Sequence, residues 1–239
     1  MIEIRDFSSF GKADLGWLSA RHHFSFADYH NPDRMNWGAL RVWNDDTIQP
    51  NTGFEQHGHR DMEIITFVRK GAITHKDHMG NKGRTLAGDV QVMSAGKGVI
   101  HEEFNRETDI TQIFQIWIMP AQTSGEPYWE AREFPKNDMS DQLVELASGR
   151  PRASESALPI RQDAAIYGAT LTPGAKVTYN IDAGRLVYLT ASKGSVLVNG
   201  KQLDERSAAA IEKESLITIQ APEDAETPSE IILADIPPM

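Results

Sequence analysis

HGHRDMEIITFVRKG, residues 57–71, sets two histidines at i, i+2 ahead of a β-rich run, and GDVQVMSAGKGVIHEE, residues 88–103, ends on a second such pair, His101 and Glu103. On a strand, i and i+2 share one face. Two such strands side by side aim His57, His59, His101 and Glu103 at a common point. Three imidazoles and a carboxylate suit a divalent transition metal and leave two positions of an octahedron open, as a catalytic rather than a structural site requires. Glycines 58, 96 and 98 let the backbone turn sharply or approach closely there. A lone H-x-H pair is more often a solvated strand face; the two pairs together outweigh that reading. All eight histidines lie at or before His101, so no later segment can add an imidazole.

Outward from these stretches, short β-rich runs recur at Ala39–Trp43, Ile64–Val68, Val90–Met93 and Gln112–Ile118, with turn signals at Asn44–Asp46 and Met79–Gly83. After Pro120 they resume at Lys176–Ile181, Leu186–Thr190, Ser195–Val198, Leu216–Gln220 and Glu230–Ala234. Many short strands at close spacing predict an all-β sandwich or barrel. Ser140–Ser148 reads equally as strand or as a turn or two of helix. Asn199-Gly200 predicts a type I′ hairpin. The segment 120–135, PAQTSGEPYWEAREFP, reads as a linker. A faint repeat relates KGAITHKDHMGNKG, from Lys70, to KGSVLVNGKQL, from Lys193. It sets Asn180 and Asp182 opposite His57 and His59, so metal chemistry is expected in the first half alone. The domains are expected at 1–119 and 136–239, with 120–135 between them.

The chain has 239 residues, 40% hydrophobic and 24% charged, an ordinary globular composition. Net charge is −10, from 24 basic and 34 acidic residues. That argues against direct nucleic-acid or anionic-membrane binding. No apolar run approaches the roughly 20 residues of a membrane span. With no cysteine there is no disulfide and no thiolate site. The N-terminus, MIEIRDF, carries no apolar signal region, and a cytoplasmic location is expected.

The spacing resembles the two cupin motifs. The first reads Gly53, His57, His59, Glu63, Gly71; the second reads Gly88, Ser94, Gly96, His101, Asn105. Ser94 replaces a proline, Lys97 and Gly98 are additional, and Glu103 adds a carboxylate the general motif lacks. These departures resemble the pirin family, a bicupin branch. So do RHHFSFADYHNP (21–32), HKDHMGNKG (75–83) and the two opening stretches. The resemblance covers most of the first half; the second matches in general character and in its Asp235–Pro238 ending. Gly58 stands where the family has proline, and Glu102 where it has serine.

The resemblance implies two cupin domains (double-stranded β-helix, or jelly-roll) in tandem, with metal in the N-terminal one on His57, His59, His101 and Glu103. Similarity to bacterial pirin-like quercetinases implies a dioxygenase that opens the heterocycle of a flavonol such as quercetin and releases carbon monoxide. Glu103 would serve as catalytic base. Fe(II) is the first choice of cofactor; Ni, Co, Mn, Cu or Zn would also fit. Partners would be a small aromatic substrate and dioxygen. The alternatives are a non-enzymatic metal sensor acting through a protein partner, and another cupin chemistry such as sugar isomerisation.

Among the remaining residues, Glu63 is a candidate fifth donor, set by strand parity on the face of His59; the resemblance instead implies a place behind the ligands or in an ion pair. His75 and His78 are expected in a solvated turn, and His22, His23 and His30 in ordinary packing, with His23 or Phe24 and Phe26 as possible covers of the pocket. Arg60 would orient an anionic substrate or pair with Asp61. Met93, Phe114 and Trp117 would line the barrel, as plain core or as walls of an apolar pocket suited to a flat aromatic ligand, and Glu102 would point away from the metal.

Overall fold

The computed structural model describes residues 1–134 and 140–239. Its regular structure is almost wholly strand, and among the described residues no helix is long and apolar enough to cross a membrane. The chain divides into two compact units. One is Gly11–Phe134 with Leu158–Gln162; the other gathers Met1–Phe10, Asp163–Met239 and the described part of Pro135–Ala157.

In the unit of Gly11–Phe134, a seven-stranded antiparallel sheet runs Tyr128–Arg132, Val90–Ser94, Glu63–Lys70, Thr111–Ile118, Leu40–Ile48, Leu18–His22, Gly11–Asp14. A four-stranded sheet runs Gly53–His59, Val99–Phe104, Ala72–Asp77, Lys82–Leu86. The residues of Val99–Phe104 alternate between buried and more exposed, the period-2 signature of a strand with one face inward. Glu63–Lys70 is buried over six consecutive residues, as expected of a central strand covered on both faces. Ile48, Val68, Ile73 and Ile113 fill one end of the interior, and Ile64, Met93, Ala95 and Val99 the other.

The other unit repeats the plan. Its large sheet includes Ile2–Arg5, Ala208–Ile211, Leu186–Lys193, Ser229–Ile236, Ala165–Leu171 and Val144–Ser148 in that order. Its small sheet runs Lys176–Asn180, Leu216–Gln220, Val196–Val198, Lys201–Leu203, the same chain order as the small sheet above. Both Lys-Gly steps of the sequence repeat end a strand of a large sheet with a glycine at positive φ, Gly71 at 73° and Gly194 at 66°. The Asn199-Gly200 hairpin forms, with φ of 47° and 78°.

Of the two readings open at Ser140–Ser148, Val144–Ser148 takes strand, because it pairs with Ala165–Leu171. One expectation reads differently in the structure. The segment expected as a linker supplies Tyr128–Arg132, which hydrogen-bonds along Val90–Ser94. The expected boundary at residue 136, and Pro135, lie outside the described residues.

Candidate metal centre

His57 and His59 come from Gly53–His59, and His101 and Glu103 from its neighbour Val99–Phe104. His101 stands opposite His57, and Val99 opposite His59. The register then slips: Glu103 stands opposite Phe54, so Glu55 and Gln56 bulge against Glu102 alone. The slip bends one strand without turning either histidine out of the barrel. The three imidazoles of His57, His59 and His101 bring ring nitrogens within 4.8 Å of one another. Nε2 of His57 lies 3.1 Å from Nε2 of His101. Two ligands at right angles on one ion, each roughly 2.1 Å from it, would be about 3 Å apart. The cluster therefore fits a shared cation. His57 Nδ1 is held by the backbone carbonyl of Glu55 at 2.7 Å, which fixes its ring.

Glu103 is 2% exposed and stands one step deeper, grouped with His101 and His75. Its Oε1 accepts from Gln91 Nε2 at 2.5 Å and its Oε2 from Gln115 Nε2 at 2.8 Å, while Thr66 Oγ1 donates to Gln115 Oε1 at 2.9 Å. Gln91 and Gln115 donate to separate oxygens and leave lone-pair capacity free on each. Burial, then repulsion from the neighbouring imidazoles, lowers His101 to about 3 and His59 to about 4. Both rings are thus neutral near pH 7, and a metal ion there displaces no proton from them.

The imidazoles floor a cavity of about 720 Å³, within the range of small-molecule sites. Its walls are aromatic. Trp117 lies edge-on to His59 at 4.9 Å, Phe26 edge-on to Trp117 at 5.4 Å, and Trp17 edge-on to Phe54 at 5.2 Å. Asp46 also faces this cavity; it is 2% exposed and its Oδ1 has no hydrogen-bond partner among the described residues. Burial first, then Asp45 and Glu103, pushes its carboxyl well above the usual range, against the pull of Arg69.

The remaining candidates fall partly where the sequence set them and partly elsewhere. His75 is not a solvated turn residue. Its strand, Ala72–Asp77, runs past it, and the ring is fully buried against Trp129, stacked at 4.8 Å. His78, just beyond the strand, is exposed as expected. Glu63 stands clear of the donor cluster: buried, it accepts from Ser94 Oγ at 2.7 Å and from the Arg161 backbone at 3.1 Å. His22 and Phe26 cover the cavity, not His23 and Phe24; His23 stacks near Trp43, and His30 is exposed. Arg60 is exposed beside His59. Trp117 lines the cavity, but Phe114 packs between Trp43 and the Arg69 guanidinium, and Met93 joins the apolar end of the core. Glu102 faces the outer surface with Thr74 and Arg84. In the second unit, Leu216 stands opposite Asn180 where His101 stands opposite His57, so imidazole donors are lacking there.

Thr66, Gln91 and Gln115 escaped the sequence reading. Their signal was a polar residue at a buried position of an otherwise apolar strand: IITFV, VQVMS and IFQIW.

Comparison with known proteins agrees with this architecture. The Pirin family profile matches residues 3–118, and one described as Quercetinase C-terminal cupin domain matches residues 146–236. A pirin-like protein of Caulobacter vibrioides is 57% identical over 95% of this chain and 97% of its own. Quercetin 2,3-dioxygenase of Escherichia coli K12 is 39% identical over the full length of both. The crystal structure of the bacterial pirin YhhW from Escherichia coli, in complex with nickel(II), superposes with a TM-score of 0.91 at 38% identity, covering 100% of both chains. The chain belongs to the pirin family and is a bicupin whose N-terminal unit carries a histidine cluster suited to a metal ion.

Proposed function

We propose that the N-terminal cupin is the active site of a metal-dependent dioxygenase that opens the heterocycle of a flavonol such as quercetin, with release of carbon monoxide. The observation that carries this reading is the convergence of His57, His59 and His101 on the floor of an aromatic-walled cavity. Relatives named quercetin 2,3-dioxygenase support it.

His57, His59, His101 and Glu103 would hold one divalent metal, and Fe(II) suits this nitrogen and carboxylate set. The metal when bound would supply charge stabilisation and orientation for the substrate oxygens. Trp17, Phe26, Phe54 and Trp117 present ring edges and faces that take up a flat aromatic ligand and exclude water. Glu103 receives the proton of the flavonol 3-hydroxyl at a carboxylate oxygen, held in plane by Gln91 and Gln115.

The test pairs metal analysis with oxygen uptake. About one metal per chain and quercetin-dependent uptake, both lost in His57→Ala, support the reading. Metal without uptake would remove quercetin as substrate. Glu103→Gln, compared at equal metal occupancy, separates the base from the ligands; full turnover there would end the base assignment.

A further inference from the structure

Behind the cluster lies a fourth imidazole to which the proposed ligation gives no role. We propose that His75, anchored by Asp77, is a positioning residue that fixes the ring orientation and tautomer of His101 through Nδ1. The result is a carboxylate–imidazole–imidazole chain ending at the metal face. The inference rests on the metal-centre reading and adds to it.

Strand register makes the chain possible. On the shared face of adjacent strands, His101 stands opposite Asp77, and Glu103 opposite His75. His75 and Asp77 are two residues apart on Ala72–Asp77, so both point inward. The distances are 3.4 Å from His101 Nδ1 to His75 Nδ1, and 3.1 Å from His75 Nε2 to Asp77 Oδ2. Asp77 is itself held. Its Oδ1 accepts from the backbone N–H of Met79 and of Asn81, and its Oδ2 from Asn81 Nδ2, at 2.9, 3.0 and 2.8 Å. The stack on Trp129, 7° from parallel, fixes the plane of the His75 ring.

The direction of the chain follows from proton counting. His101 turns Nε2 toward His57, so that nitrogen keeps its lone pair for a metal. A neutral imidazole carries one N–H, which must then be on Nδ1. Nδ1 donates to His75 Nδ1, which must therefore be an acceptor. The remaining proton of His75 is on Nε2 and donates to Asp77. Each link fixes the next, and the buried carboxylate polarises the row toward His101. A buried side chain needed for packing alone could be apolar, with nothing to satisfy; two engaged ring nitrogens argue for orientation.

His75, His101 and Glu103 also lie close enough to form a donor triad of their own. Direct ligation by His75 is the competing assignment, and it predicts a different result. The probe is Co(II). Affinity is read by competition with a chromophoric chelator, geometry by the ligand-field spectrum, and folding by the melting temperature of the stripped protein. His75→Phe keeps the ring against Trp129 but removes both nitrogens. It is expected to retain one Co(II) per chain with affinity about 10–100-fold weaker and a shifted spectrum. His75→Asn, whose amide oxygen can accept from His101, is expected to recover most of that loss. Asp77→Asn should weaken binding less than His75→Phe does.

Wild-type affinity and spectrum in His75→Phe would overturn the proposal. So would complete loss of Co(II) with no recovery in His75→Asn, which would make His75 a ligand. If His75→Phe fails to fold, unchanged affinity and spectrum in Asp77→Asn would overturn it equally. Failure of the wild-type protein to bind Co(II) would instead remove the metal centre itself, and the two failures are thereby distinct.

Discussion

The Gln115 side-chain amide donates to Glu103 Oε2 at 2.8 Å and accepts from Thr66 at 2.9 Å, so one glutamine fixes the plane of the carboxylate. Gln115→Leu removes the donor to Glu103 Oε2 and the 2.9 Å acceptor of Thr66 inside the barrel, leaving Gln91 as the amide that still donates to Glu103. Loss of a buried partner costs about 1–3 kcal/mol, and loosened support of a ligand about 10–100-fold in metal affinity. Denaturant unfolding of the stripped protein and chelator competition measure the two effects. An unchanged metal affinity would show that Gln115 does not hold the carboxylate in place.

The two depressed histidines make the metal-stripped protein acid-sensitive. Unfolded, each imidazole takes its proton near 6.5; folded, His59 does so only at about 4 and His101 at about 3. Above 6.5 both states are neutral and pH has no effect through these groups. Below it the unfolded chain binds protons that the folded one refuses, so stability falls with pH until the folded values are reached. The unfolding midpoint of chelator-treated protein is expected to drop between pH 7 and pH 4. His101→Gln should flatten that slope; an equal slope in both proteins would refute the assignment.

Asp46 has the opposite sign. Its carboxyl is raised by burial, so above the ordinary carboxylate value the fold keeps a proton that the unfolded chain has already released. Below the ordinary value of 3.8 both states are protonated and there is no penalty; above it the penalty grows with pH until the folded value is reached. Asp46→Asn removes the ionisable group at nearly constant shape. Its melting temperature should exceed that of the wild type at pH 7, and the gain should vanish near pH 3. No gain at pH 7 would contradict a carboxyl raised by burial.

Two glycines of the His57 strand should differ sharply. A Cβ on Gly53 would run into the Glu103 backbone carbonyl oxygen and come within 2.5 Å of Phe104 Cα, backbone that cannot rotate away. A Cβ on Gly58 meets only the Val99 carbonyl oxygen, at an ordinary 3.7 Å. Gly53→Ala is expected to cost about 1–3 kcal/mol and to reduce metal occupancy by parting the two donor strands. Gly58→Ala should be nearly silent. Thermal melts with metal analysis decide it; a silent Gly53→Ala would mean the strands separate without harm.

Much of this was legible along the chain. The i, i+2 pairs put His57 with His59 and His101 with Glu103, because pleating alone decides which side chains share a face. The Lys-Gly repeat and the single Asn-Gly turn announced two like units, because positive φ favours so few residues. His75 was misread because strand end and turn start differ by a residue or two, and HKD sits at that margin.

Local periodicity thus decided the fold class, the duplicated plan and the histidine ligands proposed for the metal, since each depends on residues close in sequence. Which strands became neighbours depended on pairing across the sheets. That pairing brought Gln91 and Gln115 to Glu103, placed His75 and Asp77 behind His101, and buried Asp46 with its Oδ1 lacking a hydrogen-bond partner among the described residues. Burial and electrostatic environment belong to the assembled sheets, and no single strand carries them.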